Sequence, residues 1–317
     1  MQISQAGLRN TCLSLPAAIA TIVPESTWRE AIMNANSQPA HAAPSATPLA
    51  PVRVAIAGFG AIGRALAESL GTGRVPGVTL SAVAARDLER VSATLDGLSI
   101  RAAAVPLEEL AAHADLVIEC APAALLREIV EPFVRSGRRA VVLSVGALLE
   151  HRDLIDLAAA SGGKILVPSG ALLGLDAVAA AAEGAIHSVK MVTRKPVAGL
   201  LGAPRLRDDG IDISDLKRPL RIFSGTAREA VAGFPANLNV AVALSLAGIG
   251  ADRTEVEIWA DPGVTRNTHR IVVESDAARL DMTIENIPSS NPKTGRITAQ
   301  SVLALLRRLG GGLSIGG

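Results

Sequence analysis

Val52-Arg-Val-Ala-Ile-Ala57 is a short apolar run that meets Gly58-Phe-Gly60-Ala-Ile-Gly63, and a helical pattern opens at Arg64. No other stretch restricts the fold as strongly. Strand, G-x-G-x-x-G and helix in succession mark the first βαβ unit of a dinucleotide-binding sheet. Gly58 permits the tight turn, Gly60 lets a pyrophosphate approach the backbone, and Gly63 lets the helix lie close on the strand. The free N–H groups at the helix start, those of Ala61 and Ile62 among them, and the helix dipole favour phosphate. Gly58, Gly60, Ala61, Ile62 and Gly63 are therefore the expected dinucleotide contacts.

The 317 residues suggest about two domains, and 49% hydrophobic residues are enough for a large core. A net charge of +1 leaves no footprint for nucleic acid, and 2% aromatics with no Tyr weakens base stacking. Two cysteines, Cys12 and Cys120, make no disulfide framework and no C-x-x-C pair, which fits a reducing compartment. No apolar run approaches the roughly 18 residues of a membrane span. A cytoplasmic location is the expectation. The first fifty residues differ from the rest. Leu13 to Val23 is apolar but short, with one Arg before it, and an Ala/Pro/Ser-rich stretch follows to Pro51. Residues 1–51 read as a disordered extension. A signal or transit peptide, or a start at Met33, are the alternatives.

Beyond the first unit, Val78–Ala84, Asp115–Cys120, Ala140–Ser144 and Lys164–Val167 read as buried strands. Leu88–Leu95 and Ala124–Val134 read as helices between them. This alternation predicts an α/β fold, a Rossmann-type parallel sheet over residues 52–168. The pattern changes near Pro168-Ser169-Gly170. Ser169 is a candidate N-cap for a helix over Leu172–Ala182. Strands at Ile186–Thr193, Leu220–Phe223, Thr254–Ala260, Arg270–Glu274 and Leu280–Glu285 follow, several alternating apolar and polar residues. They predict a half-buried antiparallel sheet in an α+β catalytic domain over 169–288. Leu238–Ile249 is apolar enough for a buried helix. Residues 289–317 hold a C-terminal helix, Ala299–Leu309, expected to pack back on the nucleotide-binding domain.

Candidate chemistry falls at the strand ends. Arg86 could meet a 2′-phosphate and Asp87 the ribose hydroxyls, or both could cap the next helix. The choice between NAD and NADP is open. Glu119-Cys120-Ala121-Pro122 closes a strand where ligands of such sheets bind. Cys120 reads as a small buried residue and not as a nucleophile. His41, His113, His151, His187 and His269 have no metal-ligand spacing, so no metal is expected. His113 and His151 read as surface residues and His187 as structural. His269 lies where a turn-rich loop, Asp261-Pro to Asn267-Thr, enters a strand. Thr193-Arg194-Lys195-Pro196 is a dense basic spot suited to a small anion. Asn237 and Asn239 open the buried helix, and Lys293 precedes the last one.

Six segments together resemble L-aspartate dehydrogenases. They are the glycine loop, Pro168-Ser-Gly-Ala-Leu-Leu-Gly-Leu-Asp176, Thr193-Arg-Lys-Pro196, Phe234-Pro-Ala-Asn-Leu-Asn-Val-Ala241, Ala260-Asp-Pro262 with Asn267-Thr-His269, and Asn291-Pro-Lys-Thr294. The resemblance covers about Val52 to Leu309. It implies oxidation of L-aspartate with NAD(P) to iminoaspartate, which hydrolyses to oxaloacetate and ammonia or feeds the quinolinate branch of NAD biosynthesis. It also implies an active-site histidine at His269, cofactor contacts at Ala171 and Asn239, and a homodimer or larger homo-oligomer. Cys120 and Ala121 are expected beside the nicotinamide. Arg194, Lys195 and Lys293 are candidates for the substrate carboxylates. Rival readings are a related two-domain enzyme, such as homoserine dehydrogenase or dihydrodipicolinate reductase, and a non-catalytic dinucleotide sensor.

Overall fold

The computed structural model describes residues 50–235, 238–288, 295–310 and 314–316. The tail expected to be disordered, Asn237 and Lys293 lie outside these residues.

The first sheet is built from β1 (Val52–Ala57), β2 (Val78–Ala84), β3 (Ala103–Val105), β4 (Leu116–Glu119), β5 (Arg139–Val142) and β6 (Lys164–Leu166). Its order is β3-β2-β1-β4-β5-β6, every pair parallel. The chain reverses direction across the sheet between β1 and β4, so the carboxyl ends of these two strands flank the crevice where ligands bind. Helices α1 (Ala61–Gly71), α2 (Leu88–Gly97), α3 (Leu110–His113), α4 (Leu126–Arg135) and α5 (Arg152–Ser161) connect the strands. Val54, Ile56, Leu116, Ile118 and Val141 are fully buried, as strands covered on both faces must be. The three-residue β3 is too short to show a period in the sequence.

The second domain opens with α6 (Leu175–Ala182), and here the sequence expectation needs correction. The helix is capped by Gly174 in the left-handed region (φ +66°), not by Ser169. The Ser169 carbonyl instead accepts the N–H of Leu172 in a separate turn. Strands β7 (Ile186–Lys195) and β8 (Leu220–Thr226) follow, with the short helix α7 (Pro204–Asp208) between them. Next come α8 (Ala227–Gly233), α9 (Asn239–Ala247), β9 (Thr254–Ala260), β10 (Asn267–Ser275), β11 (Arg279–Asn286) and the final α10 (Ile297–Gly310). The sheet order is β11-β10-β7-β9-β8. It is mixed and not antiparallel throughout, because β7 and β9 run parallel. A parallel pair requires a crossover, and the chain between β7 and β9 carries three helices and β8.

Two features join the halves. Helix α9 is apolar apart from Asn239 and Ser245, and Ala241 to Ser245 are buried on several sides at once. Its Val242 and Ala243 belong to the core beneath the first sheet, with Val145 and Leu148. Its Ala241 and Leu244 belong to the core of the second, with Met191 and Ile258. Helix α10 returns to the first domain, where Val302, Leu305 and Leu306 share a core with Leu66 and Leu70 of α1. Among the described residues no helix is long and apolar enough to cross a membrane.

Candidate active site

The glycine loop is held by its neighbours. Gly58 N–H donates to the Ala84 carbonyl at 2.7 Å, and Cys120 N–H donates to the Ala57 carbonyl at 2.8 Å. Gly58 sits at φ +100°, and a Cβ there would stand 2.6 Å from the Cys120 carbonyl oxygen. A Cβ on Gly63 would collide with the carbonyl oxygen of Gly58, so no larger residue lets α1 start this close to β1. A Cβ on Gly60 would meet nothing within 4 Å, because this residue borders open space. Helix α1 begins with no side-chain cap and no acidic residue in its first turn. Its orphan N–H groups, with Ala61 and Ile62 at the wall, are left for an anion. These residues fit the pyrophosphate of a dinucleotide.

From this loop a cleft of about 330 Å³ extends between the domains. One wall is the strand ends of the first sheet, Glu119-Cys120-Ala121 and Val142 to Val145. Glu119 is fully buried there. Its carboxylate accepts the N–H groups of Leu143 at 3.1 Å and Ser144 at 2.7 Å, and the Ser144 hydroxyl at 3.0 Å. Burial raises its pKa, and these hydrogen bonds oppose the rise. Burial, helped by the charge of Glu119, pushes the Cys120 thiol well above its ordinary pKa. A thiol held protonated is a poor nucleophile, as expected of a packing residue. Asn239, at the start of α9, accepts the Gly146 N–H through Oδ1 at 3.0 Å, fixing the loop after β5 from the other domain. Ala171 lines the cleft, and its carbonyl accepts the amide of Asn286 at 2.9 Å.

The opposite wall is the end of the second sheet. Period-two alternation turns Val189, Met191, Thr193 and Lys195 of β7 inward, with Asn267, His269, Ile271 and Val273 of β10, and all are buried. On β7 and β10 this face is apolar at one end, with Val189, Met191, Ile271 and Val273, and polar at the end that lines the cleft. His269 lies opposite Thr193 in the antiparallel register, and its Nδ1 is 2.8 Å from the Thr193 hydroxyl. Burial, and the nearby charge of Lys195, depress the His269 pKa from 6.5 to about 3. Burial lowers Lys195 to about 8. The cleft thus holds a neutral imidazole beside a partly destabilised ammonium, an arrangement that an anion would stabilise.

The outcomes for the expected residues differ. Gly60, Ala61, Ile62, Cys120, Ala121, Ala171, Lys195, Asn239 and His269 come together around one cleft. Gly58 and Gly63 shape its loop from behind. His269 lies within β10, which starts at Asn267, and not in a loop before the strand. Arg194 is a correction. It alternates with Lys195 and so points away from the cleft, where it pairs with Asp261 at 3.3 Å and stacks 4.7 Å over the Trp259 ring. Asp87 caps α2 by accepting the Arg90 N–H at 3.0 Å, while Arg86 is exposed just past the end of β2. His113 and His151 are half-buried and His187 is exposed, all outside the cleft. No cluster able to hold a metal exists among the described residues. Glu119, Thr193 and Asn267 stood inside segments that the sequence singled out, but none of them was given a role of its own. The signal for the last two was available, since a polar residue at an inward position of an alternating strand is an anomaly.

Comparison with known proteins agrees with this geometry. Residues 176–309 match the family model "Aspartate dehydrogenase, C-terminal", and residues 58–168 match "Homoserine dehydrogenase, NAD binding domain". The chain is 61% identical over 265 residues to an L-aspartate dehydrogenase of Bradyrhizobium diazoefficiens, covering 84% of this chain and 94% of that protein. It is 40% identical over 269 residues to one from Methanocella arvoryzae, covering 83% and 99%. A crystal structure of aspartate dehydrogenase from Thermotoga maritima shares the fold, with a TM-score of 0.65 at 23% identity, over 84% of this chain and 99% of that one. A Rossmann-type glycine loop facing a buried histidine, at these identities over these lengths, makes the chain a member of the L-aspartate dehydrogenase family of oxidoreductases.

Proposed function

We propose that the protein oxidises L-aspartate to iminoaspartate with NAD(P), the imine then hydrolysing to oxaloacetate and ammonia. Beyond family membership, one observation carries this reading. The polar end of β7 and β10, with Lys195, Asn267 and His269, opens into the same cleft as the uncapped start of α1.

The nicotinamide supplies the hydride acceptor for the substrate Cα. The chain's residues do the rest. Hydride loss needs a neutral amine, whose lone pair stabilises the forming iminium, so a proton must leave the substrate ammonium. His269 is the base. In the tautomer that donates Nδ1–H to the Thr193 hydroxyl, Nε2 carries the lone pair that takes the proton. At a pKa of about 3 it is a weak base, but the two carboxylates of the bound substrate favour the protonated form and raise it. Lys195 holds a substrate carboxylate, which moves its own pKa back up from about 8. Lys293 is a second candidate for that task. Gly58, Gly60, Ala61, Ile62 and Gly63 hold the pyrophosphate, and Cys120, Ala121, Ala171 and Asn239 border the nicotinamide. Arg86 is exposed and placed to meet a 2′-phosphate while the Asp87 carboxylate is engaged in its cap, which supports including NADP beside NAD. The reading includes a homo-oligomer, as in the family resemblance.

The test is initial-rate NADH and NADPH formation with L-aspartate. His269→Ala is expected to lower kcat/KM for aspartate by at least about 100-fold, with the KM for cofactor within about twofold. Undiminished turnover would remove His269 from the mechanism. Turnover of homoserine without turnover of aspartate would assign the chain to a sister activity.

A further inference from the structure

The inward polar residues at the end of the second sheet are not equally employed. Thr193 and His269 bond each other, and Asn286 donates to the Ala171 carbonyl. Asn267 and Asn286 each keep an Oδ1 buried without a hydrogen-bond partner, but of the two only Asn267, 5% exposed, lines the cleft. A buried amide oxygen left unsatisfied is destabilising, so an orphan in a native cleft calls for a ligand.

Its position states which ligand. Thr268 pairs with Arg194 in the antiparallel register, and one further step brings Asn267 beside Lys195. His269, two residues along β10, shares its face. An amide presents an N–H₂ donor and a carbonyl acceptor side by side. An α-amino acid presents the complementary pair across one carbon, a carboxylate and an amino group. An aspartate side chain at this position would repel the carboxylate, and an aliphatic one would match neither group.

We propose that Asn267 is a substrate-recognition residue, its N–H₂ donating to a carboxylate of the bound amino acid and its Oδ1 accepting from the amino group. This rests on the oxidation of an amino acid proposed above and names a group that selects it. The amino group is thereby held on the side of the cleft where His269 takes its proton.

The experiment compares wild type with Asn267→Ala and the near-isosteric Asn267→Asp, all loaded with NAD(P). Asn267→Ala is expected to raise the KM for L-aspartate about 10- to 100-fold, with kcat changed less than KM. Asn267→Asp is expected to be worse than Asn267→Ala. The KM for NAD(P) and the melting temperature should stay close to wild type. In a calorimetric titration with succinate, a dicarboxylate without an amino group, Asn267→Ala should lose less affinity than it loses for L-aspartate. Wild-type KM in both variants would overturn the proposal. So would a joint fall in melting temperature and cofactor affinity, which marks a structural role. If the wild-type enzyme oxidises a different amino acid, the aspartate reading fails by itself, and the same variants measured with that amino acid decide the role of Asn267.

Discussion

At the scale of single residues, the cleft is an economy of buried polar groups. Each of Glu119, Lys195, Asn267 and His269 costs solvation, and a fold keeps such groups where a ligand or a neighbour repays them. His269 makes this measurable. Its folded pKa of about 3 lies below the ordinary value of 6.5, so between these values the unfolded chain binds a proton that the folded chain does not. Stability from this group is therefore present above pH 6.5 and is lost as the pH falls toward 3, with a slope of at most about 1.4 kcal/mol per pH unit. His269→Gln should flatten that dependence. The check is urea unfolding of both proteins at pH 7.5 and pH 5. An equal loss of stability in the two would show that other groups carry the acid sensitivity.

At the scale of elements, the join between β1 and α1 sets two rules against each other. Alanine favours a helix interior over glycine by roughly 1 kcal/mol. Yet a Cβ at Gly63 would strike the Gly58 carbonyl oxygen and approach the Ile56 side chain to 3.3 Å. Backbone cannot yield as a flexible side chain can, so sterics win. Gly63→Ala is expected to destabilise the protein by about 1–3 kcal/mol and to weaken NAD(P) binding at least tenfold. Chemical denaturation and cofactor titration would measure the two effects. A stabilised variant with normal cofactor affinity would refute this account. Alternation makes the same point on β7, where neighbouring Arg194 and Lys195 belong to opposite faces of one strand. Only Lys195 reaches the cleft.

At the scale of the whole molecule, α9 is the hinge of the architecture, because one helix contributes side chains to both domain cores. Asn239 at its start can therefore hold a loop of the first sheet from the second domain. The second sheet also has a face turned away from its helices. There Val192, Val272 and Trp259 are half-buried among ion pairs such as Lys190–Glu257 at 2.9 Å and Arg270–Asp281 at 2.7 Å. Charges of both signs beside apolar side chains suit a self-complementary contact. Light scattering on the purified protein is expected to give at least twice the mass of one chain. A monomer at micromolar concentration would exclude the homo-oligomer.

What local sequence determined is what depends on local physics. The glycine loop, the buried strands of the first sheet and the apolar α9 could be read directly, because steric freedom and burial leave marks within a few residues. His269 and Lys195 could be picked out as candidates by residue type and motif. Element ends were harder. Ser169 has the chemistry of a cap, but Gly174 has the backbone freedom that the turn before α6 uses. The parallel pairing of β7 with β9 was not legible either, since alternation reports which face is buried and not which strand lies alongside. Tertiary structure alone decided that Arg194 leaves the cleft, that Asp87 serves α2, and that Asn267 enters beside Lys195 with its oxygen unpaired. These depend on the register between strands far apart in the chain. Register is set by the packing of a whole face, and no window of sequence contains it.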